Sequence, residues 1–298
     1  MEQWKRIAIL LCLYGFFKEY RPSEAFLTPF LKGPEFKNLT ENEVNNQIYP
    51  VSTYATLVCL AFVLLFSDAV RQKPVLVVGG VAYVATFALL AWTEGVLWMQ
   101  VMQMTYGLAV ASEIAYYSYI YFLIHVDRYK KVTSVVRVSV LIGRFFSGVT
   151  SQLLVSLHLM DYLELDYISL ASVCVAFLLS LVLPIPRKID ADVVEDAPEE
   201  AADDTTHLVE TERFSCRTAV KKKWAAFKEE MTTLLLTVKC TYSDFNLLKW
   251  SLWWAFATCG VYQVGNYGQN LWDEISPSRD NRKIYNGAVE AISTLLGE

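Results

Sequence analysis

Histidine is nearly absent from this chain, and cysteine never occurs at metal-binding spacing. Three histidines in 298 residues, His125, His158 and His207, lie far apart in sequence and form no visible metal cluster. Cys12, Cys59, Cys174, Cys216, Cys240 and Cys259 contain no CxxC pair, and four of the six fall inside apolar runs. That pattern fits neither a disulfide framework nor a zinc site. No nucleophile–base pair or metal motif appears, so an enzyme is not expected, and neither is a cofactor. The formal net charge of −5 argues against nucleic acid as a partner. The N-terminus also lacks a small-residue cleavage site. Lys18 and Arg21 follow Ile7–Tyr20 where one would stand, so this run does not read as a signal peptide.

Charge is missing most conspicuously from long blocks. Only 19% of residues are charged, while 54% are hydrophobic and 14% aromatic. A transmembrane helix needs roughly 20 apolar residues. Seven candidate spans meet or approach that length: Ile7–Phe30, Tyr49–Phe66, Pro74–Trp92, Leu97–His125, Val132–Leu157, Tyr167–Leu183 and Leu247–Leu271. An eighth begins near Ile284, and the sequence stops at Glu298. The lipid bilayer is therefore the first expected partner, and the class is an all-α multi-pass membrane protein.

Basic residues in short loops report sidedness. Lys5 and Arg6, then Arg71 and Lys73, then Arg128, Lys130 and Lys131, then Arg187 and Lys188 fall on alternate loops. The intervening loops carry almost none, which places the N-terminus in the cytosol. Asn38-Leu39-Thr40 then falls in the first outside loop, where an N-glycosylation sequon belongs. A seven-helix receptor would put the N-terminus outside, against this pattern.

The long inside loop has two parts. Asp190 to Asp204 is acidic, with alanine and proline, and reads as disordered. Val220, Trp224, Phe227, Met231, Leu234 and Val238 recur at three- and four-residue steps beside Lys221, Lys222, Lys223 and Lys228. Two readings stand: an amphipathic helix on the inner membrane surface, or a cytosolic helix packed beneath the bundle. Six spans, a linker and further spans is the layout of a major facilitator transporter. The expected domains are 1–186, the N-terminal six-helix half; 187–244, the cytosolic linker; and 245–298, the first helix and part of the second helix of a C-terminal half. Asp68 and Arg71 match the acidic–basic loop signature often found after the second span of that fold, although the match is weak and a solvated turn is the simpler reading.

Glu113 is the sharpest functional candidate. A carboxylate this deep in an apolar stretch costs a few kcal/mol unless compensated. Tyr106, Ala109, Tyr116 and Tyr117 share its face at helical spacing, a wall suited to a cation through charge and cation–π contact. Gly107, Ala111, Ala115 and Ser118 lie elsewhere and suit close helix packing. The competing reading is an internal ion pair. Arg137 and Arg144, seven residues apart, occupy one face of the fifth span. Arg137 lies near the inner end and can snorkel. Arg144 lies near the centre, and it could neutralise Glu113 or Glu24, or bind an anionic substrate.

Two further regions stand out. Lys18-Glu19-Tyr20-Arg21-Pro22-Ser23-Glu24 interrupts the first span. Pro22 predicts a bend, and breaks at membrane depth are tolerated where they line a cavity. The alternative is a short first helix with Glu24 outside. Late in the chain, Tyr262, Gln263, Asn266, Tyr267 and Gln269 offer amides and rings to a heterocycle or to neighbouring helices. Glu290 is a second candidate buried acid. Trp250, Trp253 and Trp254 read as an interfacial belt.

Several stretches resemble the reduced folate and thiamine carrier family. They are Tyr14-Gly15-Phe16-Phe17 with Arg21-Pro22-Ser23-Glu24-Ala25-Phe26-Leu27-Thr28-Pro29, Asn38-Leu39-Thr40, Ile168-Ser169-Leu170, Trp250-Ser251-Leu252-Trp253-Trp254-Ala255 and Ile284-Tyr285-Asn286-Gly287-Ala288-Val289-Glu290-Ala291. Glu113-Ile114-Ala115-Tyr116-Tyr117 is similar to the thiamine branch. The resemblance implies a plasma-membrane vitamin carrier working by alternating access, with thiamine as substrate and reduced folate or another organic anion as the alternative. It implies that Glu24, Tyr49, Glu113, Tyr116, Asn266 and Glu290 line the substrate cavity. Two positions depart from the branch. Ser52 stands where tryptophan is usual, and Arg144 stands at an aromatic position. A family built of two six-span halves also implies that this chain is C-terminally truncated, as an isoform or fragment for which transport is in question.

Overall fold

The computed structural model describes residues 3–66, 72–123, 128–184, 232, 239–275 and 285–297. Ten α-helices are described, besides a 3₁₀ turn and a π-helix, Glu43–Ile48: α1 Gln3–Glu19, α2 Leu27–Lys32, α3 Tyr49–Phe66, α4 Gln72–Trp92, α5 Val96–Ala111, α6 Glu113–Leu123, α7 Tyr129–Ser156, α8 Tyr162–Val182, α9 Phe245–Ile275 and α10 Asn286–Gly297. The described residues contain no strand. Of these helices, α4, α7 and α8 are long and apolar enough to cross a membrane. The acidic stretch, the Val220–Val238 periodicity, Asp68, Arg71, His125 and His207 lie outside the described residues, Thr232 apart.

The chain divides into two compact units, Met1–Ile189 with Gly265–Glu298, and Asp190–Val264. In the first unit α1 packs on α7 and α8, α4 on α5 and α8, α3 on α5, and α10 on α7. One core cluster joins Phe30, Leu31, Tyr83, Phe87, Met102 and Val173. Another joins Leu11, Tyr14, Leu76, Tyr116, Tyr119 and Val136. In the second unit, the part of α9 before Gly265 exposes Trp250, Trp253 and Trp254. Trp250 and Trp253 meet edge to face at 6.0 Å.

The first span is a broken helix. The turn closing α1 is made by the Tyr20 N–H to Phe16 O at 2.9 Å, and the Arg21 N–H then reaches back only to Glu19 O. Pro22 has no N–H and disfavours helical geometry at the residue before it. A single 3₁₀ turn, Glu24–Phe26, bridges to α2. Within α2, Pro29 costs little because first-turn N–H groups lack intrahelical partners.

The span expected to run unbroken from Leu97 to His125 is also interrupted. It stops at Ser112 and restarts at Glu113. The Ser112 hydroxyl donates to Ala109 O at 2.6 Å, the local backbone bonding by which serine competes with helix continuity. The same hydroxyl fills the space beside Gly79, where an added Cβ would sit 1.9 Å from Oγ. The break puts Glu113 in the first turn of α6, where the helix dipole favours a carboxylate.

Two glycines set helix spacing. A Cβ on Gly107 would come within 2.7 Å of the Thr56 backbone nitrogen on α3, and one on Gly143 within 2.6 Å of Phe16 O on α1. Both obstacles are backbone, so neither can swing aside. Gly107→Val and Gly143→Val are each expected to cost about 1–3 kcal/mol by overpacking. A thermal melt of the detergent-solubilised chain should show a lowered midpoint for both, and an unchanged midpoint would mean the helices separate freely. Before α3, Thr40 N–H and hydroxyl both donate to Glu43 Oε2, at 2.8 and 2.7 Å. These bonds hold the Glu43 carboxyl below its ordinary range. Its stabilising contribution is therefore present above the ordinary carboxylate pKa and lost as pH falls through the lower folded value. Glu43→Gln should remove that acid-side dependence, read as the difference between the two melting curves across acidic pH.

Candidate functional site

Three charges at the end of α1 organise the interior. Lys18, Glu19 and Arg21 are sealed, with side chains 2%, 1% and 7% exposed. Lys18 Nζ lies 2.9 Å from Glu19 Oε1 and 2.9 Å from Glu113 Oε1. Arg21 lies 3.4 Å from Glu19 and 3.0 Å from Glu24. Arg144 Nε donates to Glu19 Oε2 at 2.7 Å. Charges taken out of water must be compensated by partners, or the burial is prohibitive. Three cations and three carboxylates in contact meet that requirement.

The cation beside Glu113 is a lysine rather than the arginine anticipated for an internal pair. Arg144 goes to Glu19, a carboxylate that sequence alone did not mark out. Arg137 is exposed, and its guanidinium lies 5.9 Å over the Tyr117 ring. Glu24 is not outside the bundle. Its side chain is 29% exposed and faces Arg21 across one turn.

Aromatic rings surround these charges. Tyr116 is fully buried and its hydroxyl donates to Leu11 O at 2.7 Å. Its ring packs 4.9 Å from Tyr14, and Lys18 Nζ sits 5.5 Å from its centre. The cation at the Tyr116 face is thus supplied by the chain itself in this conformation. Tyr83 was missed from sequence. Its hydroxyl donates to Glu113 Oε1 at 2.9 Å, Arg21 lies 5.0 Å over its ring, and Tyr106 meets it edge to face. The legible signal was Lys18-Glu19-x-Arg21 within an apolar run. Tyr83, isolated in α4, carried none.

The later residues arrive from α9 and α10. Gln269 bridges the break in the first span, since its amide donates to Glu24 O at 2.9 Å and accepts from Thr28 N–H at 3.3 Å. Asn270 donates to Asn45 at 2.7 Å. Tyr49 is buried, shares a 2.8 Å hydrogen bond with Thr28, and meets the Tyr267 ring edge to face. Asn266 is half-buried, one turn from Asn270. Glu290 is half-buried on α10 and within electrostatic reach of Glu24, Arg21, Arg144 and Glu19. It is held there by glycine-to-glycine packing, with Gly287 against Gly148 of α7. Ser52 bonds its own helix at Tyr49 O. Asn38 is exposed in a left-handed conformation, φ 49°. Among the described residues no group of His, Cys, Asp and Glu could hold a metal.

The model of the family described as reduced folate carrier matches residues 2–298. The chain belongs to the reduced folate carrier family. The family and the relatives are membrane transporters, not enzymes. The chain is 40% identical to Folate transporter 1 of Caenorhabditis elegans, over 99% of this chain and 63% of that protein. It is 41% identical to Thiamine transporter 1 of Homo sapiens, over 99% and 64%. It is 35% identical to Reduced folate transporter of Homo sapiens, over 100% and 50%. The chain therefore spans less than two thirds of the length of these relatives.

A double-mutant cycle tests the ionic core. Lys18→Met leaves Glu113 with the Tyr83 hydroxyl, while Glu19 keeps two arginines. Combining it with Glu113→Gln should recover part of the loss, with a coupling of about 0.5–3 kcal/mol in denaturant or thermal melts. Strict additivity would mean the 2.9 Å contact carries no energy.

Proposed function

We propose that the protein is a carrier that moves a vitamin across the plasma membrane by alternating access, with thiamine as the cargo. Residues 1–186 form the first six-span half of a major facilitator fold, 187–244 a cytosolic linker, and 245–298 the beginning of the second half. The N-terminus is cytosolic, as the basic loops require. Asn38 is then extracellular and a glycan acceptor, in keeping with its exposure.

The carrying observation is which charges remain accessible. The sealed layer, Lys18, Glu19 and Arg21, has one carboxylate and two cations. The partly exposed layer has Glu24, Glu113 and Glu290 against Arg144. A ligand entering this space meets an excess of negative charge, which favours a cation such as the thiazolium of thiamine. Glu113 and Glu24 provide Coulomb attraction, Tyr49 ring contact, and Asn266 a hydrogen bond to the heterocycle, while Tyr116, whose face Lys18 covers in this conformation, offers ring contact once Lys18 is displaced. Because Lys18 already occupies Glu113, substrate binding exchanges one cation for another and the carboxylate is never left bare. Alternation of that partner between conformations is what a carrier needs.

A second reading has its own support. Arg144 is 37% exposed at a position where the thiamine branch carries an aromatic residue, and Ser52 removes a ring as well. Both remove ring surface that would hold thiamine, and Arg144 adds a positive charge that suits a reduced folate or other organic anion; a named folate transporter stands as near in sequence as the thiamine transporters. Radiolabelled thiamine and a reduced folate, offered to cells expressing the protein, discriminate the two. Under the thiamine reading Glu113→Gln lowers thiamine accumulation by about tenfold, equivalent to about 1.4 kcal/mol, and Arg144→Ala does less. If Arg144→Ala abolishes folate uptake while Glu113→Gln is neutral, the anion reading replaces it.

A further inference from the structure

Asp166, in the second turn of α8, takes no part in the network described above. It is 0% exposed. Neither carboxylate oxygen makes a hydrogen bond of good geometry, and the buried Ser23 hydroxyl beside it, the one side-chain donor that bears on the carboxyl, makes none either. Ser23 lies at the break between α1 and α2. Its N–H donates to Ser169 Oγ at 3.0 Å, which ties the break to α8 one turn beyond Asp166. Ser169 in turn donates to Leu165 O, so it has no proton to offer the carboxylate. Ala25, Phe26 and Leu165 form a small apolar cluster around this point, and Tyr162 stacks on Phe26 at 5.5 Å.

Lys37 is the charged side chain within electrostatic reach of Asp166. Its ammonium is already committed, donating to Thr93 O at 2.7 Å and Ala91 O at 3.3 Å, and Glu94 shares its field. Partial burial also works against its charge and lowers its pKa. An ionised carboxylate isolated in such surroundings is too costly to persist, and the group neutralises instead. A neutral carboxyl has an O–H to donate, and Ser23 Oγ has lone pairs to accept it. The Ser23 O–H could instead donate to an ionised carboxylate, but it would serve only one of several lone pairs on the two oxygens and leave the charge in place, whereas a proton removes the charge.

We infer that Asp166 is a proton-binding site at the break of the first span, protonated while the break is sealed against α8 and ionised when water reaches it. The ligand is a proton, not a metal ion. The Ser23–Ser169 tie and the proton on Asp166 hold the same joint, so loss of either loosens the other. Raising pH then favours the loosened joint whatever the cargo.

The test uses the full chain in detergent and does not depend on transport, so its failure is separable from failure of the carrier reading. In the infrared spectrum at neutral pH, the un-ionised carboxyl region should lose one component on going from the wild type to Asp166→Asn. Asparagine mimics the protonated carboxyl in shape and donor capacity, so this variant should fold. The folded state binds the extra proton, so wild-type stability falls with rising pH relative to Asp166→Asn. Their melting temperatures should diverge as pH rises from the ordinary carboxylate range toward neutrality, and run parallel once the folded-state carboxyl is ionised. Replacing sodium by choline should leave both curves in place. The inference is overturned if the un-ionised carboxyl region is unchanged in Asp166→Asn, if the two curves stay parallel throughout, or if sodium at constant pH shifts the wild type alone.

Discussion

Everything in the first unit is arranged around charges that cannot reach water. Lys18, Glu19 and Arg21 occupy the end of α1, and none can be buried without an opposite charge at contact distance. Their partners come from four places in the chain: Glu24 after the break, Glu113 on α6, Arg144 on α7, and the hydroxyl of Tyr83 on α4 acting through Glu113. The ionic requirement therefore fixes the relative positions of helices that hydrophobic packing alone would leave free to slide. Glycine supplies the matching steric requirement. Gly143 brings the α7 backbone against Phe16, close enough for the next residue, Arg144, to reach Glu19.

Both interrupted helices serve this arrangement. The break after α1 turns Arg21 back toward Glu19 and leaves Glu24 facing it. Ser112 ends α5 so that Glu113 opens a new helix, with the dipole of α6 helping to hold its charge. Non-helical backbone at membrane depth must find partners within the protein. Here Gln269 gives both its donor and its acceptor to the groups freed by the first break. A side chain that bridges a break in this way couples the helix carrying it to the motion of the break.

The ionic core also shows why a single carboxylate in the fourth span was a useful guide but an incomplete one. Glu113 pointed to an interior site because a bare carboxylate facing lipid is too costly to keep. The identity of its partner did not follow, because Lys18 lies far earlier in the chain and reads locally as part of a helix interruption. A buried network of this sort is net neutral only as a whole. Its partly exposed members have a different charge balance from its sealed ones.

Hydropathy alone determined the all-helical class and the approximate ends of α3, α4, α7 and α8, because the cost of exposing backbone and charge to lipid depends on composition along the chain. Pro22 likewise made the first break legible, since a missing N–H is a local property. The interruption at Ser112 was not legible. The hydroxyl that bonds back to Ala109 there sits in space left by Gly79 of another helix, which no local pattern announces. Tyr83, the Arg144–Glu19 contact and the isolation of Asp166 belong to the same category. Which charge meets which counter-charge, and which carboxyl meets none, is a matter of distance across helices, and only tertiary packing decides it.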